Sequence, residues 1–225
     1  AKYRYLGCEE NLQDIAGTDE LTSEYIFTNI IRSFRQSSLN SDGSPRYYDV
    51  PFEGQVSAGE GRPYGYISTL YSIARDENVS SVIIRGTIDG ENKQLTTMWT
   101  QLGNSASAIP VPIWPIDSIP YELNGYNDSS TDAPLCIASE NLRDRLYSYP
   151  VISGGSPSPE SCIDSYQLRN NTNTGIWDST LNTFFTDTED KLFEWSTAFD
   201  SNDIIEYQNL VSTEAFNLLN IISPD

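Results

Sequence analysis

Residues 80–86 read SerSerValIleIleArgGly and residues 95–102 read LeuThrThrMetTrpThrGlnLeu, with an AspGly pair at 89–90 between them. Both stretches are short, rich in β-branched and apolar side chains, and bounded by turn residues. That is the pattern of two antiparallel strands joined by a turn. Along the first, Ser81, Ile83 and Arg85 fall on one face, and Ser80, Val82 and Ile84 fall on the other. AlaIleProValProIleTrpPro at 108–115 continues the series, and its prolines assign it to an edge strand or an extended segment. Upstream, IleSerThrLeuTyrSerIle at 67–73 alternates. Together these runs predict an antiparallel meander over residues 67–114.

Helical periodicity flanks that region. Over 21–36, Leu21, Ile26, Ile30, Ile31 and Phe34 recur at helical spacing, and Thr22 or Ser23 suits the N-cap. A shorter helix is expected over 8–16, stopped by Gly17. Residues 136–148 carry Leu142 and Leu146 one turn apart. In the acidic C-terminal stretch, Leu181, Phe184, Phe185, Leu192, Trp195 and Phe199 mark one helix, or two split near 187. Ile204, Ile205, Leu210, Val211, Phe216, Leu218 and Leu219 mark another. The GlyGlySerProSerProGlu run within 153–161 reads as a long surface loop. The fold class is therefore α+β: antiparallel sheet with helices laid over an apolar face, in a single domain spanning 1–225.

Charge limits the partners. The 225 residues hold 32 acids and 13 bases, a net charge of −19. Such a chain repels phosphate backbones and anionic lipid, so neither nucleic acid nor a membrane surface is an expected partner. No apolar run approaches the ~18 residues of a membrane span. The acidic balance fits a secreted or periplasmic protein. With no histidine, the chain by itself has no Ser-His-Asp or Cys-His nucleophile pair and no His-ligated metal. No metal and no cofactor is expected. Cys136 and Cys162 are candidates to pair, leaving Cys8 alone, but spacing does not decide the pairing. Asn40, Asp42 and Ser44 match a calcium loop only in part. Asn78, Asn127 and Asn170 begin N-x-S/T triplets.

Two sets of residues carry potential chemistry. Arg85 at a strand end suits a carboxylate or a developing oxyanion, or an ion pair with one of the acids. Trp99 and Trp114, with Tyr64, Tyr66 and Tyr71, suit either a stacking platform for a ligand or the filling of a β core.

The stretch from Asn78 to Trp114 resembles secreted N-terminal-nucleophile hydrolases of the acyl-CoA:6-aminopenicillanic acid acyltransferase and choloylglycine hydrolase groups. Those proteins carry strands of the forms S-x-V-I-I-x-G and T-T-M-W-x-x-L-G and then V-P-x-W. Here they read SerSerValIleIleArgGly, ThrThrMetTrpThrGlnLeuGly and ValProIleTrp. The resemblance implies part of an αββα sandwich that cleaves or transfers the acyl group of a small-molecule amide. The nucleophile is the first residue of the mature catalytic chain, with its own α-amino group as base, so no histidine is needed. This chain begins AlaLysTyrArg, so the resemblance implies a nucleophile on an upstream chain of the same precursor. The present chain would then be the C-terminal piece. Ser81, Arg85 and Asn104 are the catalytic candidates, and Trp99 and Trp114 the substrate-binding ones. Two other readings stand beside it: a secreted carbohydrate- or peptide-binding module, and a structural or assembly subunit.

Overall fold

The computed structural model describes residues 8–9, 11–18, 21–33, 38–39, 45–46, 66–69, 72–116, 118–125, 132–148, 162–164 and 179–222. Its strands are β1 (Ser38–Leu39), β2 (Pro45–Arg46), β3 (Tyr66–Ser68), β4 (Ser80–Arg85), β5 (Thr97–Leu102), β6 (Val111–Ile113), β7 (Tyr147–Ser148) and β8 (Cys162–Asp164). Its helices are α1 (Ser23–Tyr25, continued by a π-helix over Ile26–Ile31), α2 (Tyr121–Asn124), α3 (Pro134–Leu146), α4 (Ser179–Thr197) and α5 (Ser201–Ile222). The protein is α+β with antiparallel sheets. Its residues gather into two compact units, one of 1–78 with 143–177 and the other of 79–142 with 178–225.

In the first unit, β3 pairs with β8 and β8 with β7, both antiparallel. The described strand at the start of the alternating 67–73 run therefore pairs with β8 and not with the meander. The strand ends at Ser68, and the Ser72 hydroxyl donates to the carbonyls of Thr69 at 2.9 Å and Ala74 at 2.6 Å. This local side chain to backbone bonding turns the chain in place of a longer ladder. The helix expected from residue 21 begins as predicted, with the Thr22 hydroxyl accepting from Tyr25 N at 3.0 Å. It then widens to a π-turn, Arg32 N reaching back five residues to Phe27 O at 3.0 Å. The extra residue per turn shifts the phase of the buried face. Phe27 is wholly buried, while Ile26, Ile30 and Ile31 are only half-buried. Arg32, at the end of this turn, is also buried, and desolvation lowers its pKa to about 9. Gly17 ends the short N-terminal helical segment with φ 86°.

The second unit holds the meander β4–β5–β6. The register pairs Ser80 with Leu102, Val82 with Thr100 and Arg85 with Thr97, then Trp99 with Pro112. The turn between β4 and β5 closes through Glu91 N to Ile88 O at 3.1 Å, with Gly90 at φ 94°, which suits glycine. A 3-10 turn at Lys93–Leu95 follows, capped by the Asn92 side chain.

Beyond β5, Gly103 at φ 101° donates from N to Val79 O at 2.9 Å. In an antiparallel strand the N–H and C=O of one residue point the same way, and direction alternates along the chain. Val79, Ser81, Ile83 and Arg85 therefore bond to β5. By the same alternation Met98 and Thr100 bond to β6, which turns the backbone nitrogen of Pro112 away from the ladder. The proline sits on an edge strand, where its missing N–H costs no sheet hydrogen bond.

The core lies against the face that carries Trp99 and Pro112. Leu95, Trp114, Leu192, Trp195 and Ile204 form one buried cluster, with Tyr207 packed beside it. The Trp114 and Trp195 rings meet edge-on, 5.2 Å apart at 88°, and Trp99 lies 4.3 Å from Phe185. The acidic tail forms two helices, broken at residues 198–200 and not near 187. Asp200 caps the second, accepting from Asn202 N at 2.9 Å. On α5, Ile204, Gln208, Val211, Ala215 and Leu219 make the buried stripe. Leu210 lies off it and is exposed, and Phe199 falls in the break between the helices.

The Trp195 indole N–H donates to Asp203 Oδ2 at 2.7 Å, and Lys191 Nζ lies 3.3 Å from the same oxygen. The indole bond and then the ammonium hold the Asp203 carboxyl below its ordinary range. The Lys191 ammonium is raised, chiefly by its bond to Glu194.

No disulfide joins Cys8, Cys136 or Cys162 to one another. The segments holding Asn40, Asp42, Ser44, Tyr64, Tyr71, Asn127, Asn170 and residues 153–161 lie outside the described residues. No helix among the described residues is long and apolar enough to cross a membrane.

Candidate functional site

The strand-face argument places Ser81 and Arg85 on one half-buried face of β4, as the alternation requires. They are four residues apart, about 13 Å at the rise of a strand, so they do not converge on one reacting atom. Asn104 is buried in the turn after β5. Its Oδ1 accepts from Ala106 N at 2.9 Å, and its carbonyl accepts from Ala108 N at 2.8 Å. Its geometry is that of a turn-forming residue. The neighbouring Gln101, which the sequence reading passed over, is fully buried and braces the same turn through Nε2 to Ala108 O at 2.8 Å. Trp99 and Trp114 are core residues, 0% and 5% exposed.

Arg85 is different. It is the last residue of β4 and forms a wall of a groove of about 580 Å³. The opposite wall is α4, with Glu189, Leu192, Phe193 and Ser196, and the rim is the β4–β5 turn, with Ile88, Asp89 and Glu91. The Glu91 carboxylate serves two purposes there. One oxygen accepts from Ile88 N at 2.9 Å and fixes the turn, and the other stands 3.9 Å from the Arg85 guanidinium. That distance is an ion pair and too long for a hydrogen bond. Arg85 Nη1 is shielded from solvent and has no hydrogen-bond partner. A buried guanidinium donor left open is costly.

The rest of the groove is amphipathic. Leu192 adds buried apolar surface to the α4 wall, while Phe193 and Ile88 are 77% and 71% exposed on its margins. One base faces three acids, Asp89, Glu91 and Glu189. Among the described residues no group of three or more Cys, Asp or Glu side chains is placed to hold a metal ion. Phe193 was legible in one respect: it breaks the apolar phase set by Phe184, Phe185, Leu192 and Trp195, so a helix that buries those four must expose it. Glu91 and Glu189 carried no such signal among 32 acids.

Comparison with protein-family models, with curated proteins and with solved structures gives no match.

Proposed function

We propose that the second unit is a peptide-binding module and that the groove beside Arg85 is its recognition site. The observation that carries this reading is a groove in which two exposed apolar side chains, Phe193 and Ile88, stand beside the single base Arg85 and the three acids Asp89, Glu91 and Glu189. A peptide offers all three kinds of group that the groove lacks. A backbone carbonyl faces the partly exposed Arg85 side chain, an apolar side chain covers Phe193 and Ile88, and a Lys or Arg side chain meets the three acids. A neutral sugar would leave the acids unmatched. The net charge of −19 favours a basic partner and speeds its encounter.

The test is selection from a random-peptide library, followed by fluorescence anisotropy on the selected sequences. Basic peptides with an apolar residue are expected. Arg85→Met and Phe193→Ser should each weaken them by about tenfold or more. Selection of no peptide, or equal binding by both variants, refutes the reading.

A second reading has its own supporting observation. Val82 and Ile84 are exposed on the face of the sheet away from the core, where Met98, Leu102 and Ile113 are half-buried. An apolar sheet face of this kind suits a second sheet packed against it. In that reading the chain is one part of an amide hydrolase or acyltransferase of the N-terminal-nucleophile type. The nucleophile and the second sheet would come from an upstream chain, and the site would take a small-molecule amide. Non-reducing intact mass of the protein isolated from its source tests it, through a co-purifying polypeptide that begins with Cys, Ser or Thr.

A further inference from the structure

The two edges of the β4–β5–β6 sheet are built differently. The β6 edge carries Pro112, which blocks further pairing. Among the described residues the β4 edge pairs with no further strand and has no such guard. Its outward-directed backbone groups belong to Ser80, Val82 and Ile84, because Gly103 N bonds to Val79 O and the alternation then turns every second residue away from β5. None of the three is charged and none is proline, the devices that keep natural sheet edges from pairing. Their side chains are exposed, Val82 at 52% and Ile84 at 68%. The edge also leads to the groove, since Arg85 ends the strand and lines the cavity.

We propose that the peptide partner binds as an added strand on the open edge of β4. An antiparallel segment of about five residues would exchange hydrogen bonds with Ser80, Val82 and Ile84. Alternate apolar side chains of that segment cover Val82 and Ile84. The chain then runs past Arg85, and its basic residue reaches Asp89, Glu91 and Glu189. Charge selects this occupant. A second copy of the protein would bring a further net charge of −19 to the same edge, whereas a basic segment is attracted to it. The inference rests on the peptide reading of the groove and adds the mode of binding and the class of partner: an extended, basic, alternately apolar segment of another protein.

Backbone methylation tests the mode. For a selected peptide, two versions are made, N-methylated at one alternate set of amides or at the other. Strand addition predicts that one set abolishes binding, by at least about tenfold, and that the other leaves it within about threefold. On the protein side, Val82→Pro removes an outward N–H and no β4–β5 bond, and it should weaken the unmodified peptide by about tenfold. If that variant fails to fold, the methylated pair still decides. Equal tolerance of both methylation patterns, with binding still lost in Arg85→Met, overturns strand addition and leaves the groove reading standing. Absence of any selected peptide overturns both. A dimer at micromolar concentration that Val82→Pro dissociates and no peptide displaces assigns the edge to a second copy, and it overturns the proposal.

Discussion

Gly103→Ala is the sharpest test of the packing described for the second unit. Gly103 closes β5 at φ 101°, a region that L-residues rarely occupy. A Cβ built there would stand 2.2 Å from Ser139 Oγ and 2.6 Å from Ser139 Cβ on α3. The backbone strain is worth about 1–3 kcal/mol. Overpacking against Ser139 adds about 1–3 kcal/mol, because the clash includes a Cβ as well as the end of a side chain. The expected destabilisation is thus about 2–6 kcal/mol.

Ser139 also shares a hydrogen bond of 3.1 Å with Ser107, so displacing it disturbs the turn that Asn104 organises. Urea unfolding followed by tryptophan fluorescence reads this as a lower midpoint at constant slope. A double-mutant cycle separates the two contributions. In a Ser139→Gly background the clash is gone and only the strain remains, so Gly103→Ala should cost about 1–3 kcal/mol less there than in the parent. A midpoint unchanged in the single variant refutes the placement of α3 against the end of β5. A penalty equal in both backgrounds refutes the contact with Ser139.

Two further outcomes follow from the core of the second unit. Trp195→Phe keeps one aromatic ring but removes the N–H bonded to Asp203 and the buried volume of the second ring, and should cost about 2–4 kcal/mol at neutral pH. Asp203 has a lowered pKa in the folded state, so its contribution is present above the ordinary carboxylate range and is lost as pH falls through the depressed value. The acid-side fall in stability should therefore be shallower in Trp195→Phe, and parallel pH profiles for variant and parent would contradict the bond. Tyr207 is raised above 10.0, chiefly by burial. Its folded form holds its proton where the unfolded form releases it, so the unit loses stability as pH rises through that range. Ultraviolet titration should show one tyrosine ionising late, and Tyr207→Phe should remove that step.

The local elements of the second unit were legible in the sequence because short-range rules govern them. Alternation in SerSerValIleIleArg assigned the faces of β4, AspGly placed the turn, and the prolines of 110–115 marked an edge. Apolar phase marked both C-terminal helices; the first runs unbroken past 187, and the break before the second falls at the Asp200 cap.

What the sequence left open depended on neighbours far along the chain. That β3 pairs with β8 and not with the meander is a choice among partners nearly a hundred residues apart, on which local periodicity is silent. Trp99 and Trp114 suited a ligand platform or a core equally by residue type, and only the packing of α4 and α5 over the sheet made them core. Arg85 was marked by its place at a strand end. Its shielded Nη1, its distance from Glu91 and the facing Phe193 came from bringing α4 beside the β4–β5 turn. Sequence by itself determined the elements and their faces, since backbone sterics and apolar phase act within a few residues. Tertiary structure decided which faces were covered, and so which side chains line the groove.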